Sequence, residues 1–127
     1  YKSKSWPNEN FPEFINFVVF IETRLNLKKL FTKIKNVESQ VGRIKSKRNF
    51  PRVCDIDIID FNGQIIKKKI GNNKIYVPHK RMHIRNFVLL PLYEINKDWV
   101  HPKICKNIVF LLSNLSSEQL LGIKIVQ

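Results

Sequence analysis

Two strand-length apolar runs flank a single amphipathic helix in this chain. Residues 14–22 (FINFVVFIE) and 53–61 (VCDIDIIDF) are rich in β-branched and aromatic side chains, which is typical of buried strands. Between these runs, apolar residues recur at three- and four-residue intervals from Asn26 to Val41, with Asn26 as an N-cap and Gly42 as a stop. The pattern predicts a strand, a helix and a second strand, in that order.

The rest of the chain shows shorter patterns. Asn62-Gly63 is a hairpin signal between the second run and the segment that follows it. Pro91 interrupts an otherwise helical pattern, which predicts a short helix or two turns around it. The predicted elements are a loop at 43–52, a strand at 64–70, a loop at 71–78, a short helix within 81–95, a helix at 104–115 and a short strand at 123–126.

The size and composition fit one folded domain and exclude a disordered chain. The chain has 127 residues, of which 43% are hydrophobic and 26% are charged. No apolar run approaches the ~18 residues that a membrane span requires, so we expect a cytoplasmic protein without a membrane partner. Cys54 and Cys105 lack the spacing of a zinc site or a disulfide framework, and we expect both to be buried thiols.

The charge is strongly basic, but much of it follows from a general excess of lysine. Lys and Arg number 23 against 10 Asp and Glu, and the net charge of +13 would indicate a polyanionic partner. The chain also has 17 Lys, 17 Ile, 13 Asn and no Ala, which is typical of a codon bias. Arginine is not inflated, and five of the six arginines fall within 43–52 and 81–85. The arginines are therefore more informative than the lysines.

Asp55 and Asp57 are the residues that most directly indicate a chemical function. Because side chains alternate along a strand, both carboxylates are expected on the same face, about 6–7 Å apart. Hard oxygen ligands at that separation suit Mg²⁺, which binds one or two carboxylates together with water and substrate phosphates. An ordinary strand with a polar outer face gives the same pattern, so the neighbouring residues must decide between the two interpretations.

Arginine and histidine lie on both sides of these carboxylates in the sequence. Arg43 and Arg52 precede the second strand, and His79 and Arg85 follow the hairpin. Carboxylates for a metal, with Arg and His for phosphate oxygens, are the components of a phosphoryl-transfer site. His79 and His83 also have an i, i+4 spacing that zinc could use, but the sequence offers no third ligand at helical spacing beside them.

Three segments together resemble the hydroxymethyl-dihydropterin pyrophosphokinase family of folate biosynthesis. GRIKSKRNFPRVCDIDIIDF resembles the family's GR…PRxxDxDI signature, VPHKRMHIRNFVLLPLYEI resembles PHxxxxxRxFVLxPLxEI, and FPEFINFVVFIET is similar to QPxFxNxVxxxET. The segments lie in family order with near-family spacing, and with the connecting helix they cover most of residues 1–102. The resemblance fades over residues 103–127.

The resemblance implies transfer of a pyrophosphoryl group from ATP to the hydroxymethyl oxygen of the dihydropterin, with release of AMP. By position, Asp55 and Asp57 would hold two Mg²⁺ ions. The same match implies that Arg43, Arg52 and Arg85 act with them in catalysis by neutralising charge on phosphate oxygens.

The resemblance also assigns residues to the two substrates. Phe14 and Phe87 would stack on the faces of the pterin ring, and Asn16 would hydrogen-bond its edge. The basic loop 43–52 is expected to close over ATP as a lid. The residues implied for ATP binding are Glu38, Arg43, Lys45, Arg52, Lys74, His79 and Arg85.

The family fold is a ferredoxin-like α+β sandwich, with helices on one face of an antiparallel sheet. Members carry a first strand and a first helix before the position of Tyr1, and that strand lies between those that match 14–22 and 53–61. We therefore expect residues 1–127 to be one N-terminally incomplete domain whose cellular form is longer, and an N-terminally completed chain to be more stable. The expected form is a monomer, or a fusion to another folate-pathway domain.

Two other interpretations remain at this point. A basic nucleic-acid-binding α+β domain would explain the charge and the aromatic residues, but would leave Asp55 and Asp57 unexplained. A catalytically inactive remnant of the kinase would keep the motifs and bind ATP poorly. Magnesium-dependent ATP binding would favour the kinase without a nucleic-acid partner, whereas salt-sensitive nucleic-acid binding that ignores magnesium would favour the first alternative.

Overall fold

The computed structural model describes residues 1–3, 12–42 and 54–126. A short 3₁₀ turn at Met82–Ile84 lies among the regular elements. These elements are β1 (Lys2–Ser3), β2 (Phe14–Ile15), α1 (Leu27–Gln40), β3 (Ile66–Ile70), β4 (Asn73–Val77), α2 (Asn86–Ile95), α3 (Ile108–Ser113), α4 (Ser117–Leu121) and β5 (Ile123–Lys124).

Two antiparallel sheets accompany the helices. In the three-stranded sheet β1 is central, with Lys2 opposite Ile15 of β2 on one side and opposite Lys124 of β5 on the other. Strands β3 and β4 form a separate two-stranded sheet. The mixture of helices and antiparallel sheets confirms the α+β class, and β5 confirms the predicted closing strand over two residues.

Helix α1 has the position and the buried face that the sequence predicts. The side chain of Asn26 accepts a hydrogen bond from Lys29 N at 3.0 Å, which satisfies one of the free amides of the first turn. Leu27 and Leu30 are buried, and so is Glu38 near the other end. The helix therefore brings one buried carboxylate to the same face as its apolar residues.

The prediction of a loop over residues 71–78 is wrong, because residues 73–77 form strand β4. Gly71 has a φ of 57° at the first of two loop positions between β3 and β4, where tight hairpins favour glycine. Ile75 and Val77 are buried on one face, which packs against Leu27. Burial of alternate residues thus makes a strand of a segment that contains two strand-disfavouring asparagines.

The predicted strands at 14–22 and 53–61 are wrong for most of their described length. Only Phe14–Ile15 is paired in the first run, and residues 54–61 belong to no ladder of the described structure. No described strand pairs with the remaining residues of these two runs. Their side chains favour a strand, but among the described residues no sheet forms there. The turn at Asn62-Gly63 does form, with positive φ at both residues, and it precedes a strand that begins at Ile66.

The carboxyl-terminal half contains two predicted helices, each with a difference in detail. Helix α2 confirms the short helix predicted within 81–95, but it continues through Pro91, which is buried, so the expected interruption does not occur. Helix α3 begins at Ile108 rather than at residue 104. Its N-cap is Asn107, whose side chain accepts a hydrogen bond from Phe110 N at 2.8 Å. Cys105 adopts a positive φ of 57° in the preceding loop, where a helix cannot continue.

Neither cysteine is a buried thiol, contrary to expectation. Cys54 is half-buried and Cys105 is exposed, and both are free. Cys54 lies beside the Asp55–Asp57 segment, which no described strand covers, and Cys105 lies in an exposed loop. Among the described residues, no helix combines the length and the apolar character that crossing a bilayer requires.

Two apolar clusters make up the core. A helical cluster includes Met82, Leu89 and Ile108, each with no exposed surface. A hairpin cluster joins Leu27 of α1 to the inner face of β3 and β4. Ile58 packs against the hairpin cluster and its neighbour Ile59 against the helical one. The segment that carries Asp55 and Asp57 therefore ends between the two clusters.

Candidate phosphate and metal site

Asp55 and Asp57 have the alternating exposure that their spacing predicts. Cys54, Ile56 and Ile58 are partly buried, whereas Asp55 and Asp57 are exposed. This alternation persists although the segment is not part of a described ladder, because Ile58 is fixed in the hairpin cluster. Both carboxylates are therefore on the solvent side of the segment.

Asp57 lies beside two of the basic residues that the sequence singles out. Its Oδ2 is 3.8 Å from Nε2 of His79 and 3.9 Å from Nη1 of Arg85. These distances are too long for hydrogen bonds, so Asp57 accepts no hydrogen bond from these two nitrogens of His79 and Arg85. Asp55 also acts electrostatically on His79 and Arg85. The structure thus brings together four of the predicted site residues.

Burial lowers the pKa of His79 below its ordinary value, and the cations of Arg85 and Arg81 add to this effect, whereas Asp57 and Asp55 oppose it. The lower pKa favours the neutral ring. Its Nδ1 accepts a hydrogen bond from the backbone N–H of Arg81 at 3.3 Å, which places the proton of the neutral ring on Nε2. His79 therefore presents an N–H donor on the side of Asp57.

Arg85 connects the carboxylate to an aromatic ring. Burial, followed by repulsion from Arg81, lowers the pKa of Arg85, but a guanidinium starts so high that it stays charged. Its Cζ lies 5.4 Å from the centre of the Phe87 ring. Phe87 packs against the helical cluster. Arg85 is thereby held between Asp57 and the ring that the resemblance assigns to the pterin.

A cleft of about 290 Å³ opens next to Asp57 and His79. Its walls come from α1, the Asp-bearing segment, β4 and the turn that follows β4. Nζ of Lys80 lies 3.8 Å from the centre of the Tyr76 ring, a close cation–π contact. The cationic and aromatic residues of the lining are Phe31, Lys35, Lys74, Tyr76, Lys80 and Arg81.

The donor set suits magnesium bound together with phosphate. Among residues 1–3, 12–42 and 54–126, no group of three or more His, Cys, Asp or Glu side chains is placed to hold a metal ion. The exposed pair Asp55 and Asp57 is the kind of partial site that Mg²⁺ uses when substrate phosphates complete its coordination. His83 lies next to His101, with ring centres 6.0 Å apart, rather than in this site.

Glu38 reaches the site from inside the protein. Its side chain has no exposed surface. Oε1 accepts a hydrogen bond from Ile56 N at 2.7 Å, and Oε2 pairs with Nζ of Lys35 at 2.8 Å. The structure therefore places Glu38 behind the Asp55–Asp57 segment.

The remaining predicted residues lie elsewhere or outside the described part. Phe14 and Asn16 are on or next to β2, where Asn16 donates a hydrogen bond to Ser3 Oγ at 2.8 Å. Among the described ring contacts, none joins Phe14 to Phe87. The structure places Lys74 in the lining of the cleft. Arg43, Lys45 and Arg52, with the basic loop predicted at 43–52, fall outside the described residues.

Several residues of the cleft were not predicted. Phe31 and Lys35 are four positions apart on α1, and this spacing puts them on one helical face together with Glu38. That signal was available in the sequence. The loop predicted over residues 71–78 assigns no face to Tyr76, which lies on strand β4.

Comparison with known proteins identifies the family. The sequence model described as 7,8-dihydro-6-hydroxymethylpterin-pyrophosphokinase matches residues 1–97. The chain is 37% identical over 102 residues to the 2-amino-4-hydroxy-6-hydroxymethyldihydropteridine pyrophosphokinase of Haemophilus influenzae, and 39% identical over 102 residues to that of Aquifex aeolicus. Each match covers 80% of this chain and 61% of the relative.

A longer relative contains a similar region. The folic acid synthesis protein FOL1 of Dictyostelium discoideum is 42% identical over 91 residues, which cover 72% of this chain and 13% of that protein. The matched residues 1–97 include Asp55, Asp57, His79 and Arg85. The chain belongs to the 7,8-dihydro-6-hydroxymethylpterin-pyrophosphokinase family.

Proposed function

We propose that this chain transfers a pyrophosphoryl group from ATP to the hydroxymethyl oxygen of 6-hydroxymethyl-7,8-dihydropterin. The observation that carries the proposal is Asp57 within 4 Å of both His79 and Arg85, at the edge of a cleft lined by cations. A site for a metal-bound triphosphate needs these groups together. Family membership supplies the identity of the substrates.

ATP occupies the cleft in this proposal. Phe31 and Tyr76 offer apolar ring surface to the base, and Lys74, Lys80 and Arg81 face the negative charge of the phosphates. At about 290 Å³, the cleft is just below the usual range for ligand sites, so the phosphate chain extends out of it along the wall that Asp57 lines.

Arg85 and His79 stabilise the charge that develops during transfer. The substrate hydroxyl attacks the β-phosphorus, a new O–P bond forms, and the bond between the β-phosphorus and the oxygen of AMP breaks. Arg85 donates from a charged group and His79 from the neutral Nε2–H to phosphate oxygens. Asp57 is the carboxylate nearest to these donors, and the proton of the hydroxyl passes to Asp57 or to a water molecule beside it.

Asp55 and Asp57 would hold two Mg²⁺ ions against the triphosphate. When bound, these ions neutralise phosphate charge and help to align the attacking and leaving oxygens. The support from the structure is the exposure of both carboxylates on one side of the segment. Arg43, Lys45 and Arg52 complete the proposed ATP site by analogy with the family.

The pterin binds on the other side of Arg85 in this proposal. Phe87 supplies one ring face and Phe14 the other, with Asn16 at the polar edge. Support comes from the contact between Arg85 and Phe87, which puts an aromatic face next to the phosphate site. A ferredoxin-like arrangement of the whole fold, one domain and small-molecule substrates without nucleic acid belong to the same proposal.

The test is AMP formation from ATP, Mg²⁺ and hydroxymethyl-dihydropterin by the chain and two variants. Asp57→Asn removes the carboxylate between His79 and Arg85, and we expect a loss of about 100-fold or more. Asp98→Asn makes the same charge change in the exposed turn after α2 and should leave the rate unchanged. Circular dichroism of each variant shows that it is folded.

Each alternative has its own result in this test. A folded chain that forms no AMP and binds ATP poorly even with magnesium is the inactive remnant. A folded chain that binds nucleic acid without magnesium and loses that binding with salt is the basic binding domain. Equal rates for Asp57→Asn and the unsubstituted chain would contradict the proposed site.

A further inference from the structure

Glu38 holds two different parts of the candidate site with its two carboxylate oxygens. Oε1 accepts the backbone N–H of Ile56 at 2.7 Å, and Ile56 is the residue between Asp55 and Asp57. Oε2 lies 2.8 Å from Nζ of Lys35, which lines the cleft. One buried side chain therefore links helix α1 to the carboxylate pair and to a cation of the cleft.

Two contacts with other described residues hold the backbone that carries the carboxylate pair. On the far side of Ile58, Ile59 packs in the helical cluster and its carbonyl accepts a hydrogen bond from His79 N at 3.1 Å. On the near side, the hydrogen bond from Ile56 N–H to Glu38 fixes the peptide between Asp55 and Asp57. Residues 54–60 belong to no ladder of the described strands, so these contacts have a direct effect on the position of the segment.

The hydrogen bond from the Ile56 N–H to the Glu38 carboxylate is of a strong type. A hydrogen bond from a backbone amide to an ionised carboxylate is short and about twice as strong as one between neutral groups. At Glu38 it lies where the carboxylate has no exposed surface, so water does not compete for the acceptor. Loss of the acceptor would leave the Ile56 N–H free to turn, and the carboxylates on either side would turn with it.

We propose that Glu38 is a positioning residue, which sets the direction and separation of Asp55 and Asp57 through Ile56 and places Lys35 at the cleft. It acts without touching the nucleotide. The inference rests on the proposed function, because it assigns the carboxylate pair to Mg²⁺ and the cleft to ATP. Groups that orient metal ligands in this way affect metal affinity by about 10- to 100-fold.

The experiment compares three variants of the full chain. Glu38→Gln keeps an oxygen acceptor for Ile56 N–H but loses the charge, Glu38→Leu removes the acceptor, and Gln40→Leu is the control at an exposed position of the same helix. The readouts are the Mg²⁺ concentration that half-saturates ATP binding, hydrogen exchange of the Ile56 amide, and the urea midpoint.

We expect Glu38→Leu to raise the half-saturating Mg²⁺ concentration by about tenfold or more and to speed exchange of the Ile56 amide. Glu38→Gln should recover most of this loss, with a rise of about threefold, because the acceptor oxygen is kept. Gln40→Leu should match the unsubstituted chain in both readouts. Rescue by the conservative variant separates positioning from a general loss of stability.

The outcomes distinguish this inference from the proposed function. If Glu38→Leu lowers the urea midpoint but keeps the unsubstituted Mg²⁺ requirement, Glu38 is only structural and the inference is overturned. If Glu38→Leu does not fold, Glu38→Gln decides, and an unchanged Mg²⁺ requirement with unchanged Ile56 exchange overturns it. If the unsubstituted chain shows no magnesium-dependent ATP binding, the proposed function fails, and this inference with it.

Discussion

His101 is a buried histidine, and one of its ring nitrogens is hydrogen-bonded to the backbone. Its Nδ1 accepts hydrogen bonds from Lys103 N and Ile104 N, each at 3.2 Å, and only 3% of the residue is exposed. Burial lowers its pKa, and the nearby His83 lowers it further. Both nitrogens of a protonated ring are donors, so the charged form loses these two contacts.

His101 should therefore make the chain less stable in mild acid. A pKa that is lower in the folded state means that stability is present above the ordinary value of 6.5 and is lost as pH falls below it. His79, whose pKa is also lowered, acts in the same direction. We expect the urea midpoint to fall between about pH 7.5 and about pH 5.

The variant His101→Asn isolates this contribution. Its side-chain oxygen can accept the same backbone hydrogen bonds but does not titrate, so the midpoint should depend less on pH than in the unsubstituted chain. Urea titrations at both pH values measure the difference. An equal pH dependence in the two chains would show that His101 is not responsible.

At the scale of elements, α1 contributes most to the candidate site, because it supplies one wall of the cleft and also Glu38. Its first turn depends on the cap at Asn26, next to the buried Leu27. We expect Asn26→Ala to lower the free energy of unfolding by about 1 kcal/mol, since a free amide at Lys29 replaces a satisfied one.

Asn36→Ala serves as the control for the cap. Asn36 lies on the exposed side of the same helix, where alanine is the better helix former, so this change should be neutral or slightly stabilising. Chemical denaturation of both variants gives the comparison. Equal destabilisation by the two changes would mean that the cap at Asn26 contributes nothing specific.

The helices and strands also show which sequence signals determine the local structure. Asn26, the apolar spacing of α1 and the Asn62-Gly63 turn each act locally, and the structure confirms all three, although the turn joins no hairpin of the described strands. Local signals do not predict strand β4, because its strand character comes from burial of Ile75 and Val77 against another element. Helix α2 tolerates Pro91 for a similar reason, since burial offsets the lost hydrogen bond.

At the scale of the molecule, the chain exposes a run of apolar side chains. Phe17 and Phe20 are 74% and 79% exposed, in a segment that pairs with no described strand. Exposed apolar segments of this kind promote association. We expect the double variant Phe17→Ser and Phe20→Ser to associate less at high concentration, without a lower urea midpoint.

Light scattering over a concentration series measures this association. Leu121→Ser is the control, because Leu121 is 81% exposed but lies on the short helix α4. Its association should match that of the unsubstituted chain. If the control reduces scattering as much as the double variant does, the Phe17–Phe20 segment has no special role.

The candidate site was predictable in its parts but not in its shape. The spacing of Asp55 and Asp57 and the resemblance over residues 1–102 led to His79 and Arg85, which the structure places beside Asp57. The cleft was not predictable in the same way. It forms where α1 faces β4, and the distance between two elements depends on packing across the whole core.

The three-stranded sheet affects the order in which the cleft and the sheet become organised during folding. Its central strand pairs Lys2 with Lys124, which closes nearly the whole described chain into a loop, and each strand is two residues long. Such closures cost entropy and form late, whereas the β3–β4 hairpin beside the cleft is local. Phe14 pairs with Ser3 in the same sheet, which is complete only when β5 joins it. We therefore expect the walls of the cleft to become organised before the sheet that holds Phe14 and Asn16 is complete.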